Sequence, residues 1–475
     1  MSKNIIIGSA QTRPHKQHLR GPVFALILSI LGIVWVAFCL TGSAQPATQQ
    51  SSVALTRNGA LVAATNEVLK ETSEIRQLAI LRPVQSSAQS REEIERMIVK
   101  NLDEETTPAR MHATEVTLKT LGLVPPDFNF RSLMIRLLTE QVAGYYDPKV
   151  QQFHLADWID IDGQRPIMAH ELTHALQDQH FNLRRFEHWP KGDSDAELTA
   201  HALIEGDATL SMSFYVANNP LRALALLKSL GATGLTSQEL EKAPRSLRET
   251  LLFPYQEGLN WTRTVYRYGG WRDVSQAFTT LPQSTEQILH PEKYFVHEPP
   301  VKVLLPDLTE VLNRTNQRSG IRGRRPDITQ YGPASSLQPL ASWKKIDSDV
   351  NGEWGLYLIL DEFLNSAAES RRAAAGWGGD RYAVYENRDG RVIYVSLTSW
   401  DTERDAREFF DAYMKRTQLR YPNARTETDS PDSKRLQNPM GETAIQIRGT
   451  RILVAEGLPD TMVERALVKA LGMNN

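Results

Sequence analysis

Apolar residues recur at helical spacing over Asn58–Leu81, Arg91–Leu102, Pro108–Leu121 and Arg131–Val142, which predicts four early helices. The next stretch, "GYYDPKVQQFHLA", breaks that period: two short β-prone runs around Asp147-Pro148 predict a hairpin. Helical texture returns at "PIMAHELTHALQDQH", where Pro166 suits a first helical turn and Ile167, Met168, Ala169, Leu172, Ala175 and Leu176 supply an apolar stripe. A second long helix is predicted over "DSDAELTAHALIEGDATLSMSFYVA", with Leu198, Ala202, Leu203, Leu210 and Phe214 near helical spacing and Asp193 or Ser194 as its cap. From Leu227 to Tyr294 the pattern stays mostly helical, interrupted at Gly231, Pro254 and Gly269-Gly270.

Residues 301–345 include "NQRSGIRGRRPDITQYGPASSLQPLAS", rich in Arg, Gly, Pro and Ser, and read as a linker or long excursion. A second unit follows. Gly352–Asn365 and Thr402–Lys415 are predicted helices, "RYAVYEN" and "VIYVSLTSW" a hairpin across Arg388-Asp389-Gly390-Arg391, "TAIQIRG" and "RILVAEG" two more strands, and Pro459–Leu471 a last helix. "GWGGD" at Gly376–Asp380 lacks the spacing of a phosphate loop and reads as a tight turn. The fold class is α+β: a mostly helical domain with a short β-hairpin over residues 57–300, then a small α+β domain with an antiparallel sheet over 346–475.

Composition bounds the setting. A chain of 475 residues with 41% hydrophobic content buries a substantial core in about two folded units. Its net charge of −2 points to no nucleic acid or acidic lipid, and the basic run Arg322–Arg325 reads as a solvated loop. Arg13, Lys16 and Arg20 precede an uncharged apolar run from Pro22 to Leu40, and no basic residue follows until Arg57. That asymmetry predicts a cytoplasmic basic segment over residues 1–21 and a contact with the cytoplasmic membrane through 22–40, as a single-pass signal anchor or as a signal peptide. Cleavage after Ala44, in "GSAQ", would release the rest as a secreted protein; otherwise residues 41–56 form a tether. The only cysteine, Cys39, lies in the apolar run, so the exported part has no disulfide and a thiolate zinc site is excluded.

The chemistry concentrates in His170-Glu171-Leu172-Thr173-His174. On a helix, residues at i and i+4 project from one face, so His170 and His174 can bracket a single ion. Glu171 is turned by about 100° from His170, which keeps it off the ion and leaves it able to reach a water there. The plain alternative is two surface histidines on an amphipathic helix. A third ligand decides between them. Glu205 sits mid-helix between Ile204 and Gly206, and a lone carboxylate in so apolar a setting needs a partner. Gly206 admits another backbone, or the ion and its ligands. Two histidines, a glutamate and water make a catalytic zinc set, with His201, one turn before Glu205, as the rival ligand. Asp178, Asp195 and Asp207 are candidate acceptors for the ligand imidazoles, or ordinary helix charges.

HExxH followed on a later helix by a glutamate resembles the gluzincin branch of zinc metallopeptidases, with its thermolysin-like architecture. The wider set "EQVAGYYDPKVQQFHLAD", "AHELTHALQDQHF", "ALIEGDATL" and "LPQSTEQILHPEKY" is similar to a group of bacterial predicted zinc-dependent proteases, over roughly Glu71 to Tyr294. The resemblance implies a zincin-like domain, Zn2+ on His170, His174 and Glu205, and Glu171 as general base. One position departs from it: the thermolysin pattern has an aspartate four residues after the ligand glutamate, and here Thr209 stands there. The outer support of the ion must differ, with Asp207 as a candidate.

Further along, Glu286 and His290 stand four apart ahead of Pro291; His290 is a candidate donor to the developing oxyanion, or a helix-end cap. Tyr145, Tyr146 and Tyr294 are further candidate donors, or core. The expected function is an extracytoplasmic zinc peptidase hydrolysing peptides or proteins. The competing expectation is a membrane-tethered interaction protein, in which zinc staples two helices and the C-terminal domain binds a partner.

Overall fold

A computed structural model of the chain describes residues 47–141, 144–158, 160–186, 192–223, 238–320, 342–459 and 461–473. The apolar run Pro22–Leu40, Cys39, Gly231 and the Arg322–Arg325 run lie outside the described residues. No helix among those described is long and apolar enough to cross a membrane.

The first helix, α1, spans Ala47–Arg76, and a short strand β1 at Gln85–Gln89 follows it. Local signals set the next ends. α2, Arg91–Glu105, opens on a reciprocal capping box between Ser90 and Glu93. α3, Pro108–Leu121, has Thr107 as N-cap, proline in its first turn and a left-handed Gly122 after its end. After α4, Phe130–Gln141, the expected hairpin forms from β2, Gly144–Asp147, and β3, Gln152–Ala156, antiparallel with Tyr145 opposite His154. β1 adds parallel to β3, so the order is β1-β3-β2.

The core helices follow: α5, Arg165–Phe181; α6, Ser194–Ala217, capped by Asp193; the short α7, Gln238–Lys242; and α8, Arg245–Ala277. α8 runs through Pro254, because Phe253, Pro254 and Tyr255 are all buried and packing outweighs the one hydrogen bond that proline forfeits. The break comes instead at Gly269 and Gly270, whose backbone angles leave the helix, with φ +67° at Gly270. Short helices α9, Thr285–Leu289, and α10, Pro291–Phe295, lead to α11, Thr309–Gly320.

The C-terminal part comprises β4, Lys344–Asp349; α12, Gly352–Leu364; α13, Ala367–Ala374; β5, Trp377–Glu386; β6, Val392–Trp400; α14, Glu403–Arg420; β7, Arg425–Ser430; β8, Ser433–Asn438; β9, Gly441–Arg448; β10, Arg451–Leu458; and α15, Thr461–Ala470. Its seven strands form an antiparallel sheet in the order β4-β5-β6-β10-β9-β8-β7. Alternation sends Tyr382, Val384, Tyr394, Ile452 and Val454 to one face and Ala383, Tyr385, Ile393, Val395, Leu453 and Ala455 to the other, and both faces are buried. The segment expected as a linker takes part in this: Leu308, Leu312 and Trp343 cover the second face. Gly376 takes the turn expected in "GWGGD" with φ +76°, while Trp377–Asp380 already belong to β5.

The two expected units also share a core, since one apolar cluster runs from Ile94 in α2 through α6, α8 and α12 to Val454 in β10. Arg416 and Arg420 of α14 lock the seam. Arg416 donates to Leu121 O and to Glu456 Oε1 (2.7 Å), and Arg420 Nη1 to Thr120 O (2.7 Å). Two guanidinium groups thus satisfy the orphan carbonyls at the negative end of α3. Gly122 is required beside them, because a Cβ there would lie 2.8 Å from Arg420. Arg416→Ala leaves Glu456 with Arg420 and Tyr413 but one buried partner fewer, and is expected to destabilise the chain by about 1–3 kcal/mol, measured as a shift in urea unfolding.

Candidate metal centre

Every residue of α5 from Pro166 to Asp178 is buried. One side packs on α1 and the β1-β3-β2 sheet through Met168, Ala169, Leu172, Ala175 and Leu176, while α6 lies across another. The expected stripe is therefore a helix enclosed all round, and His170 and His174 are 4% and 5% exposed, not surface residues. α6 meets α8 at a backbone contact: an added Cβ at Gly206 would fall 2.3 Å from Gly258 O, and one at Gly258 2.3 Å from Ala202 O. The second backbone that Gly206 was expected to admit is that of α8.

These packings bring His170, His174 and Glu205 together from residues 31 to 35 apart in the chain. His170 Nε2 is 3.1 Å from Glu205 Oε2, His174 Nε2 is 3.4 Å from the same oxygen, and the two ring nitrogens are 3.2 Å apart. Ligand atoms about 2.0–2.2 Å from a tetrahedral zinc lie about 3.3–3.5 Å from one another, so the three atoms already approach the spacing that an ion of this size requires. They form the only cluster of metal-ligand type among the described residues. His201 stays outside it. Burial pushes His201 down to about 4, which suits a neutral ring.

The charges within the cluster sustain one another. Burial pushes Glu205 up, but His174 and His170 more than offset it and hold the carboxyl well below its usual range. Burial pulls the His174 ring down, yet Glu205 beside it raises it to about 9. The Glu205 carboxylate thus favours positive charge at this point. Glu171 is 3% exposed and raised by burial, against the pull of both histidines. Its Oε2 accepts the Tyr146 N–H at 3.1 Å, so the β2 edge fixes its direction.

The family comparisons reach a different part of the chain. A family model described as "Domain of unknown function (DUF8575)" matches residues 338–467, the sheet and its helices from β4 to α15. No curated protein matches the chain. No solved structure matches it. The matched range leaves out the cluster on α5 and α6.

The surrounding candidates sort by what they touch. Asp207 reaches the cluster through Gln177, which the sequence reading passed over: Gln177 Oε1 is 2.9 Å from His174 Nδ1, and its Nε2 donates to Asp207 Oδ2 at 2.9 Å. Asp178 accepts from Tyr146 OH, Arg82 and Leu183 N, tying the hairpin to α5. Asp195 accepts from Thr285 at the far end of α6. Tyr145 OH donates to Gln89, and Tyr294 OH to Thr280 O. The phenol at the cluster is Tyr255, its ring 6.3 Å from that of His170 and its hydroxyl raised well above its usual value by burial, then by Glu205 and Glu171. Its signal in the sequence was faint: Tyr255 and Gly258 share a face at i, i+3, and Gly258 is where α8 touches α6.

His290 is not brought to the cluster. It ends α9, with its N–H donating to Glu286 O at 2.7 Å, and its Nε2 is 3.0 Å from the buried Glu353. α9 begins at Thr285, which is bound to Asp195, and ten residues of helix put Asp195 about 15 Å along the axis from Glu205. The capping role is the one its contacts serve.

Proposed function

We propose that the chain is a zinc-dependent peptidase acting outside the cytoplasm, with His170, His174 and Glu205 as the residues that hold the ion. The observation that carries this reading is the triangle of ligand atoms, 3.1–3.4 Å on a side, with an unligated, buried carboxylate on the neighbouring helix position. When bound, zinc supplies Lewis-acid polarisation of a carbonyl and acidification of water. Glu171, kept basic by burial and aimed by the Tyr146 N–H, takes the proton of the attacking water and hands it to the leaving amine. Gln177 holds the His174 ring, and Tyr255 packs beside His170. Peptides or proteins are the substrate class, and the N-terminal segment supplies the membrane contact.

Burial supports a second reading. His170, Glu171, His174 and Glu205 are each at most 5% exposed, so a polypeptide enters only after an opening movement, whereas a structural ion needs none. In that case zinc staples α5 to α6, and the C-terminal part binds a partner.

One measurement addresses the ion and another the chemistry. About one zinc per chain is expected, and His174→Ala is expected to abolish it; stoichiometric zinc in that variant would remove the assignment. Digestion of a peptide library by the zinc-loaded chain supports the peptidase, and an intact library favours the staple.

A further inference from the structure

The donors and acceptors around the His174 ring are assigned by chemistry alone. Gln177 Nε2 lies 3.0 Å from Ile204 O and 2.9 Å from Asp207 Oδ2. A carbonyl oxygen and a carboxylate paired with a guanidinium only accept, so the NH2 end of the Gln177 amide faces both and its Oε1 faces His174. His174 Nδ1, 2.9 Å from that oxygen, therefore carries a hydrogen. In the neutral ring the free lone pair is then on Nε2, the nitrogen that points at Glu205 and His170.

Asp207 is set in place by Arg76, the last residue of α1. Arg76 Nε donates to Asp207 Oδ1 at 2.5 Å, and both side chains are fully buried. The guanidinium also donates to Ser275 Oγ at 3.1 Å and lies over the Trp271 ring at 4.6 Å. An ion pair that only joined α1 to α6 would not need to share its carboxylate. Here the second oxygen of Asp207 is spent on the amide that orients a ligand.

We propose that Arg76, Asp207 and Gln177 form a chain of positioning residues that fixes the metal-binding tautomer of His174, so that the first helix helps to set the affinity of the ion. The inference rests on the zinc-site reading above and adds to it three residues that touch no metal. A ligand imidazole whose outer hydrogen bond is removed binds its metal about 10–100-fold more weakly, which sets the expected effect.

The test measures the zinc dissociation constant of the full-length chain by competition with a chromophoric chelator, beside the melting temperature of the metal-free protein. Gln177→Leu removes the acceptor on Nδ1. Asp207→Asn offers Gln177 an NH2 in place of an oxygen. Arg76→Met combined with Asp207→Leu removes both charges together, so that no buried charge is stranded. Each is expected to weaken zinc binding about 10–100-fold, in excess of any change in melting temperature. A structural ion pair predicts the reverse, with a lower melting temperature and unchanged zinc affinity, and folded variants that bind zinc as tightly as the parent overturn the chain. A second readout needs no variant: with 15N-labelled histidine, the zinc-loaded parent is expected to show a protected His174 Nδ1–H proton, and its absence also overturns the proposal. A parent that takes up no zinc overturns this inference and the zinc-site reading together, whereas unchanged variants of a zinc-binding parent overturn only the inference.

Discussion

Glu171→Gln is expected to retain zinc at the parental level while peptide hydrolysis falls by about 10²–10⁴-fold, the range for loss of a positioned general base. Zinc should stay because Glu171 is not among the three ligand atoms. The fold should stay as well, since a glutamine oxygen can still accept the Tyr146 N–H. Burial already disfavours the charge at this position, and an uncharged amide of the same shape relieves that cost. The assay is paired: zinc per chain by atomic absorption, and turnover of a peptide that the parent cleaves. A zinc-replete variant with parental turnover would remove Glu171 from the chemistry. Loss of zinc together with activity would instead make Glu171 part of the ion's support.

Elements specified by neighbours in sequence were the legible ones. α3 was expected at Pro108–Leu121 and is found there, because Thr107, Pro108 and Gly122 mark both ends locally. The β2-β3 and β5-β6 hairpins follow from alternation across turns. What escaped was decided at a distance. β7 and β8 are polar strands at the end of the sheet, the first mostly exposed and the second largely part-buried, and only the pairing of β7 to β8 and of β8 to β9 distinguishes them from loop. β1, "QSSAQ", is a strand because β3 lies beside it. α11 hid in a segment whose Arg, Gly and Pro content dominates its texture, although Leu308 and Leu312 are core.

The candidate site divides in the same way. His170, Glu171 and His174 are related by helical spacing alone, and Glu205 was conspicuous as an acid amid apolar neighbours. Arg76 and Tyr255 carry no such mark, because each acquires its contact only when the helices dock, and Gln177, three residues from His174 on α5, is oriented only when α6 brings up Ile204 O and Asp207. His290 stood out for the opposite reason. Its spacing from Glu286 is a real helical relation, met by its own N–H on the Glu286 carbonyl, and a local relation says nothing about which distant surface the ring will face.

That docking suggests the substitution with the greatest expected effect on the fold. Gly258→Ala places a Cβ 2.3 Å from the Ala202 carbonyl oxygen and 3.0 Å from its carbon, and both belong to a helix backbone, so no side chain can turn aside to make room. α6 and α8 must separate instead, and Gly206, facing Gly258 O at the same crossing, has no slack to give. Over-packing of a core costs about 1–3 kcal/mol where side chains can adjust. Here a loss at or above about 3 kcal/mol is expected, seen as a lower urea midpoint. Zinc affinity should fall with it by about tenfold or more, because Glu205 adjoins Gly206 on α6 and both ride on the same helix contact. Gly59→Ala is the control: α1 carries Gly59 with nothing within 4 Å of the added Cβ, and helix propensity favours alanine there by about 0.5–1 kcal/mol. If the two substitutions left equal stability and equal zinc affinity, the close crossing of α6 and α8 would not be what holds the third ligand in place.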